Sequence, residues 1–273
     1  MTDRYAVIGN PVSHSKSPLI HTMFAGQTRQ DISYEAIEAP LDGFAATVER
    51  LRGKGFKGCN VTVPFKFEAY KLATRRSALA AAAQAVNTLK LNFDGNFILG
   101  DNTDGTGLVR DIVFNFGIAL KNKRVLLIGA GGAAYGVALP LAGAGAKLTI
   151  VNRTADRAHA LAAGISTLQS IISSGSFDDI AGQQFDAVIN ATSAGLSGSE
   201  LSLPPAIFAP GALAYDMMYG RETPFMKFAR EHGAACVADG LGMLVEQAAE
   251  SFLIWRGIRP DTAPVIEALR KYQ

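Results

Sequence analysis

The chain has 273 residues, of which 48% are hydrophobic, and a formal net charge of +2. That length predicts about two domains, and the apolar content is enough for two cores. Lysine and arginine are dispersed, so no basic stripe points to nucleic acid and no basic amphipathic helix points to a membrane surface. A sequence pI of 8.5 fits small anionic ligands.

Two cysteines, Cys59 and Cys236, form no C-x-x-C pair and read as buried free thiols in a reducing compartment. The segment from Met1 to Ile8 lacks the apolar core of a signal peptide. We therefore expect a cytoplasmic protein.

In chain order, Tyr5 to Gly9 predicts a first strand. The polar loop Gly9-Asn10-Pro11-Val12-Ser13-His14-Ser15-Lys16-Ser17-Pro18 follows its carboxyl end, where α/β sheets bind ligands. Ser17 and Pro18 suggest an N-cap and N1 pair for a helix with Leu19, Ile20, Met23 and Phe24 on its apolar face. A strand over Ser33 to Glu38 comes next. Asp42 is the expected cap of a helix that ends at Gly53. Gly58 to Val63 reads as a third strand closed by Pro64, with Lys66 in the first turn of the helix beyond.

An alanine-rich helix over Ser77 to Ala83 leads to a strand from Asn87 to Asn92. Asp94-Gly95 is a hairpin signal, and Phe97 to Gly100 returns. The polar run Asp101-Asn102-Thr103-Asp104-Gly105 then precedes a helix holding Leu108, Ile112 and Val113. We place a domain boundary here. Residues 1–104, completed by helices in 241–273, form the expected substrate domain, and 105–240 the expected dinucleotide domain.

The second domain opens on Val125-Leu126-Leu127-Ile128-Gly129-Ala130-Gly131-Gly132-Ala133-Ala134. Gly129, Gly131 and Ala134 fit G-x-G-x-x-G/A. In that pattern the first Gly turns the strand, the second admits a pyrophosphate, and the third small residue lets the helix pack on the sheet. Free N–H groups at the helix start then face the phosphates. Val125 to Ala146 carries no charge over 22 residues, but its six glycines and Pro140 fit a buried strand and helix better than a membrane span.

Lys147 to Val151 is the next strand of this βαβ unit. At its end, an NAD site expects an acidic residue for the ribose hydroxyl. Here the chain reads Asn152-Arg153-Thr154, with Arg157 one turn on. A guanidinium binds a 2′-phosphate that a carboxylate would repel, so the expected cofactor is NADP(H).

The Ser-rich stretch from Ser166 to Ser176 reads as surface. Asp186 to Asn190 and Leu213 to Tyr219 predict two further strands with exit loops, and Ala235 to Ala238 a last short one. Asp239-Gly240-Leu241-Gly242 opens a helix with Met243, Leu244, Ala248 and Phe252 on one face. An amphipathic helix over Ala263 to Tyr272 closes the chain.

A nicotinamide cofactor implies hydride transfer. The four histidines are scattered and the two cysteines lie far apart, so no zinc site is expected. No tyrosine has a lysine four residues on, which excludes the Tyr-x-x-x-Lys chemistry. A metal-free carbonyl reduction needs another proton donor. Lys66 is a candidate and Asp104 could pair with it, although a single lysine is most often a solvated charge.

Eight segments in order resemble the shikimate dehydrogenase family: GNPVSHSKSP (9–18), CNVTVPFK (59–66), AVNTL (85–89), GDNTDG (100–105), GAGGAA (129–134), NRT (152–154), DMMYG (216–220) and GLGMLVEQAA (240–249). The resemblance implies an α/β fold of two three-layer domains, one for substrate and a Rossmann domain for NADP, with a cleft between them. It implies NADPH-dependent reduction of 3-dehydroshikimate to shikimate, a step in aromatic amino-acid biosynthesis.

Carried over by residue, Ser15, Ser17 and Tyr219 would bind the substrate carboxylate. Thr62, Asn87, Asp104 and Gln247 would bind the ring hydroxyls. Lys66 would be the acid/base, held by Asp104. Gly129, Ala130, Gly131, Gly132, Ala133, Asn152, Arg153, Thr154 and Arg157 would hold NADP(H), with Met217 and Gly240 against the nicotinamide. An acidic residue that many relatives carry near Ala78 is missing here. The rivals are a quinate/shikimate dehydrogenase of the same fold and a non-catalytic NADPH-binding sensor. The expected partner is the small-molecule substrate alone, in a monomer or homodimer.

Overall fold

A computed structural model describes residues 2–92, 97–165, 171–192 and 202–271. The chain divides into two compact units. The first comprises Met1–Gly107 and Val245–Gln273, and the second Leu108–Leu244.

In the first unit, strands β1 (Asp3–Gly9), β2 (Ile32–Glu38), β3 (Phe56–Val61), β4 (Arg75–Arg76), β5 (Thr88–Asn92) and β6 (Phe97–Asp101) form one sheet in the order β2-β1-β3-β5-β6-β4. β1 runs parallel to β2 and β3, and β5 antiparallel to both β3 and β6. This mixture decides where the chemistry lies. Reversing β5 puts its start beside the end of β3, with Asn60 paired to Thr88. Reversing again puts the end of β6 there too, with Asp101 opposite Thr88. Polar residues from three strand ends therefore share one edge, next to the point where the strand order switches between β1 and β3.

The helices of this unit are α1 (Ser17–Thr28), α2 (Phe44–Gly53), α3 (Lys66–Leu72) and α4 (Ala78–Ala83). A core of Ile8, Phe44, Val48, Phe65, Leu89 and neighbours packs between sheet and helices. Two cap expectations need correction. α1 begins at Ser17 itself, with Lys16 in the cap position and no side-chain cap, which shifts Pro18 to the second helical position. α2 is preceded by Gly43 rather than capped by Asp42. Ser77 does cap α4, accepting from Ala80 N at 3.0 Å. The Asp94-Gly95 turn lies outside the described residues.

α5 (Asp104–Arg110) leads through a π-helical turn, Asp111–Asn115, into the second unit. There β7 (Arg124–Ile128), β8 (Lys147–Val151), β9 (Ile172–Gly175), β10 (Phe185–Asn190), β11 (Phe208–Asp216) and β12 (Cys236–Ala238) are ordered β12-β11-β10-β7-β8-β9, and every pair is parallel. That is the doubly wound dinucleotide order with its switch point between β7 and β10. A parallel sheet covered on both faces needs strands apolar on both sides. Val125, Leu126, Leu127 and Ile128 are accordingly all fully buried, alternating between two cores.

α6 (Gly132–Gly143), α7 (Ala155–Ile165) and α8 (Pro224–Glu231) complete this unit. Within the Ser-rich stretch, Ile172–Gly175 is an edge strand on β8, largely accessible as expected of a surface segment, though the strand itself is not anticipated. Residues 166–170 and 193–201 lie outside the described set. α9 (Leu241–Arg256) and α10 (Ala263–Arg270) follow, and the expected helix end at Tyr272 lies outside the described residues. No helix among the described residues is long and apolar enough to cross a membrane. Cys59 is buried, and burial pushes its thiol up to about 12, whereas Cys236 is only half-buried, contrary to expectation.

Candidate active site

The polar edge of the first unit holds a connected set of side chains. Lys66 opens α3 directly after the turn Thr62–Phe65, where Phe65 N donates to Thr62 O at 3.0 Å. Thr62 itself is tied back to β1, its N–H donating to Ile8 O at 2.9 Å. Lys66 Nζ donates to Asp104 Oδ2 at 2.6 Å, with the two side chains 31% and 13% exposed. The other carboxylate oxygen accepts from Asn87 Nδ2 at 2.8 Å. Asp104 N donates to Asn102 Oδ1 at 3.2 Å. The carboxylate is thus held by one donor on each oxygen and its backbone by Asn102, and the half-buried lysine is aimed by it.

Asn87 sits just before β5 and is buried. Its Oδ1 accepts from Thr103 N at 2.9 Å. A backbone N–H can only donate, so this bond fixes which end of the amide faces Asp104. Gln247, on α9, joins the group: its Oε1 accepts from Asn87 Nδ2 and from Thr103 Oγ1, each at 3.3 Å. Four expected site residues, Lys66, Asn87, Asp104 and Gln247, are therefore brought together.

Ser15 and Ser17 lie in the β1–α1 link, and Ser17 N donates to Ser15 Oγ at 3.3 Å. Ser17 is buried beside the Tyr34 phenol. Burial raises that phenol well above its ordinary value, Cys59 adds to the rise, and a hydrogen bond from Ser17 opposes it. Tyr34 Oη donates to Asn60 Oδ1 at 2.7 Å, and Asn60 Nδ2 reaches Thr88 Oγ1 at 3.2 Å and Ser251 Oγ at 2.9 Å. Asn60, Thr88, Thr103 and Ser251 are buried polar residues that periodicity alone does not single out. The available signal is a polar residue where a strand or a helix face is otherwise apolar.

In the second unit, Gly129 ends β7 at φ +110. A Cβ there would stand 3.0 Å from Thr192 Cγ2 and 3.3 Å from Ala191 O, so the turn is shaped for glycine twice over. Gly131 is extended and precedes α6 with no side-chain cap. A Cβ built on it meets nothing within 4 Å, which leaves open space over the helix start. Gly131, Gly132 and Ala133 are exposed, while Ala134 is buried against the sheet. Uncapped N–H groups above an open glycine suit an anionic dinucleotide.

Asn152 follows β8, its Nδ2 donating to Thr154 O at 3.0 Å, and Arg153, Thr154 and Arg157 are exposed beside it. Met217 and Gly240 lie against each other. Gly240 N donates to Met218 O at 2.8 Å, and a Cβ on Gly240 would collide with Met217 O. Asp216, fully buried at the end of β11, holds this turn: its Oδ1 accepts from Met218 N at 3.0 Å, and its Oδ2 from Asn190 Nδ2 at 3.2 Å and Thr223 Oγ1 at 2.6 Å. Tyr219, half-buried in the same exit loop, has its phenol raised by burial.

The family model "Shikimate dehydrogenase substrate binding domain" matches residues 7–89, "Shikimate / quinate 5-dehydrogenase" residues 112–197, and "Shikimate 5'-dehydrogenase C-terminal domain" residues 240–270. A Methylobacillus flagellatus protein named shikimate dehydrogenase (NADP(+)) is 61% identical over 98% of this chain and 99% of its own. The crystal structure of a Pseudomonas putida enzyme superposes with TM-score 0.93 at 49% identity, covering 98% of each chain. A Thermus thermophilus shikimate 5-dehydrogenase, solved with NADP(H) and shikimate, superposes with TM-score 0.86 at 33% identity over 100% of both chains.

Proposed function

This chain belongs to the shikimate dehydrogenase family, and on that premise we propose that it reduces 3-dehydroshikimate to shikimate with NADPH, reversibly, using Lys66 and Asp104 as its catalytic pair. The observation that carries the pair is the 2.6 Å contact between Lys66 Nζ and Asp104 Oδ2 within a fixed polar group at the strand ends.

NADP(H), when bound, supplies or accepts the hydride. Gly129, Ala130, Gly131, Gly132 and Ala133 would hold its pyrophosphate, and Asn152, Arg153, Thr154 and Arg157 its 2′-phosphate. Met217 and Gly240 would line the nicotinamide. Lys66 donates a proton to the substrate oxygen that gains charge on reduction, and takes one back in the reverse direction. Asp104 and Asn87 orient Lys66 and the ring hydroxyls, with Thr62 and Gln247. Ser15, Ser17 and Tyr219 would bind the carboxylate. We place the enzyme in the cytoplasm as a monomer or homodimer.

The test is an assay of nicotinamide absorbance with shikimate or quinate, each with NADP⁺ or NAD⁺. Turnover is expected to be fastest with shikimate and NADP⁺. Faster turnover with quinate would assign the chain to the quinate/shikimate rival, and no turnover with any pair would leave a binding protein.

A further inference from the structure

Ser251 lies on the buried face of α9, among Ala248, Phe252 and Trp255, and is fully buried. A helical serine can satisfy its hydroxyl on its own helix, and Ser251 Oγ stands 3.1 Å from Gln247 O. Yet the same hydroxyl is 2.7 Å from Thr88 Oγ1 and 2.9 Å from Asn60 Nδ2. Donors and acceptors in this group follow from its fixed members. Asn60 Nδ2 faces Asn87 O at 3.1 Å, and a carbonyl only accepts, so that nitrogen is the donor. Asn87 Oδ1 accepts from Thr103 N. Thr88 Oγ1, 2.9 Å from the same Oδ1, must therefore donate to it. Its one proton is then committed, so the 2.7 Å contact takes the Ser251 proton in preference to the longer 3.1 Å contact with Gln247 O.

The sequence of donation is Ser251 to Thr88, Thr88 to Asn87 Oδ1, and Asn87 Nδ2 to Asp104 Oδ1, with Lys66 donating to Asp104 from the other side. The series of donors leads to one carboxylate, which Asn87 and Lys66 contact directly. We propose that Ser251 is a positioning residue for the Lys66–Asp104 pair, orienting the Asn87 amide through the Thr88 hydroxyl. Without the Ser251 proton, Thr88 can turn its own proton away from Asn87, and the Asn87 amide, still oriented by Thr103 N, loses the second donor that holds it against Asp104. The inference rests on reading Lys66 and Asp104 as the catalytic pair.

The experiment compares Ser251→Ala, Thr88→Val and Thr88→Ser with the parent in NADP⁺-linked shikimate oxidation. Ser251→Ala and Thr88→Val should each lower kcat/KM for shikimate about 5- to 10-fold, the scale of one buried hydrogen bond, with the KM for NADP⁺ unchanged. Thr88→Ser keeps the hydroxyl and should stay within about twofold of the parent. In an Asp104→Asn background, Ser251→Ala should cost nothing further, because both act on the same carboxylate.

Folded Ser251→Ala enzyme with parental kcat/KM overturns the proposal. So does a loss that adds fully to that of Asp104→Asn, or a Thr88→Ser variant as impaired as Thr88→Val. Should Ser251→Ala fail to fold, the Thr88 pair carries the same test. If Asp104→Asn alone retains parental kcat, the underlying reading of the pair has failed instead, and that outcome is seen separately.

Discussion

Lys66 and Asp104 are 38 positions apart in the chain, yet their charged atoms stand 2.6 Å apart. The contact is partly buried, so it is stronger than an exposed pair and still open to a ligand. An ammonium held this way gains most when a nearby substrate oxygen becomes anionic, so its effect falls on the transition state. Lys66→Met should lower kcat by about 10²- to 10⁴-fold with a smaller change in KM. Asp104→Asn should harm both, since Asp104 holds the lysine and, on the proposed reading, would also bind the substrate. Steady-state kinetics on variants with parental circular dichroism is the check, and a Lys66→Met enzyme within a few-fold of the parent would sink this role.

Cofactor choice should depend on Arg153. It is exposed at the end of β8, the strand end that positions the adenosine ribose in this topology. Arg153→Ala should narrow the preference for NADP⁺ over NAD⁺ by about ten- to a hundred-fold, the value of a charge-assisted contact. Unchanged selectivity, measured as the ratio of kcat/KM with the two cofactors, would remove Arg153 from the 2′-phosphate site.

The second unit was largely legible because a buried parallel strand and a glycine turn leave dense local signals, as Val125 to Ala134 does. β9 was not, since Ile172–Gly175 is a Ser-rich edge strand with little apolar content to betray it. Lys66 and Asp104 were legible as polar residues at strand exits and Asn87, at the entry to β5, only through the family resemblance, but what joins them is the antiparallel placement of β5, which no local pattern encodes. Ser251 and Asn60 were missed because each interrupts an apolar pattern only once. Ser17 and Asp42 have the composition of caps, but the helices start one residue before and one residue after the expected points.

Gly240 makes a different kind of prediction, steric rather than electrostatic. A Cβ there would collide with the Met217 backbone, which cannot swing aside as a side chain could. Gly240→Ala should cost about 1–3 kcal/mol of stability. It should also raise the KM for NADP⁺, because Met217 and Gly240 are the residues read as lining the nicotinamide. A parental melting temperature together with a parental KM for NADP⁺ would show that the turn absorbs the extra methyl.

Acid stability should report on His21. Its ring is fully buried, stacked 4.2 Å from the Tyr34 ring and flanked by Phe24, Phe252 and Trp255. Neither ring nitrogen has a hydrogen-bond partner among the described residues. Burial pushes the imidazole down to about 3, with a weaker opposing pull from Asn60. The unfolded chain binds this proton near pH 6.5 and the folded chain does not until about pH 3. Above pH 6.5 both states are neutral and His21 adds no pH dependence. Below it the unfolded state holds more protons, so stability falls by up to about 1.4 kcal/mol per pH unit until the folded ring also titrates. Tyr34 stays neutral throughout this window and contributes nothing to the slope. His21→Phe keeps the stack and removes the proton, so its urea-unfolding free energy should fall less steeply between pH 6.5 and pH 4 than the parent's. Parallel profiles for the two proteins would show that the acid limb belongs to other groups.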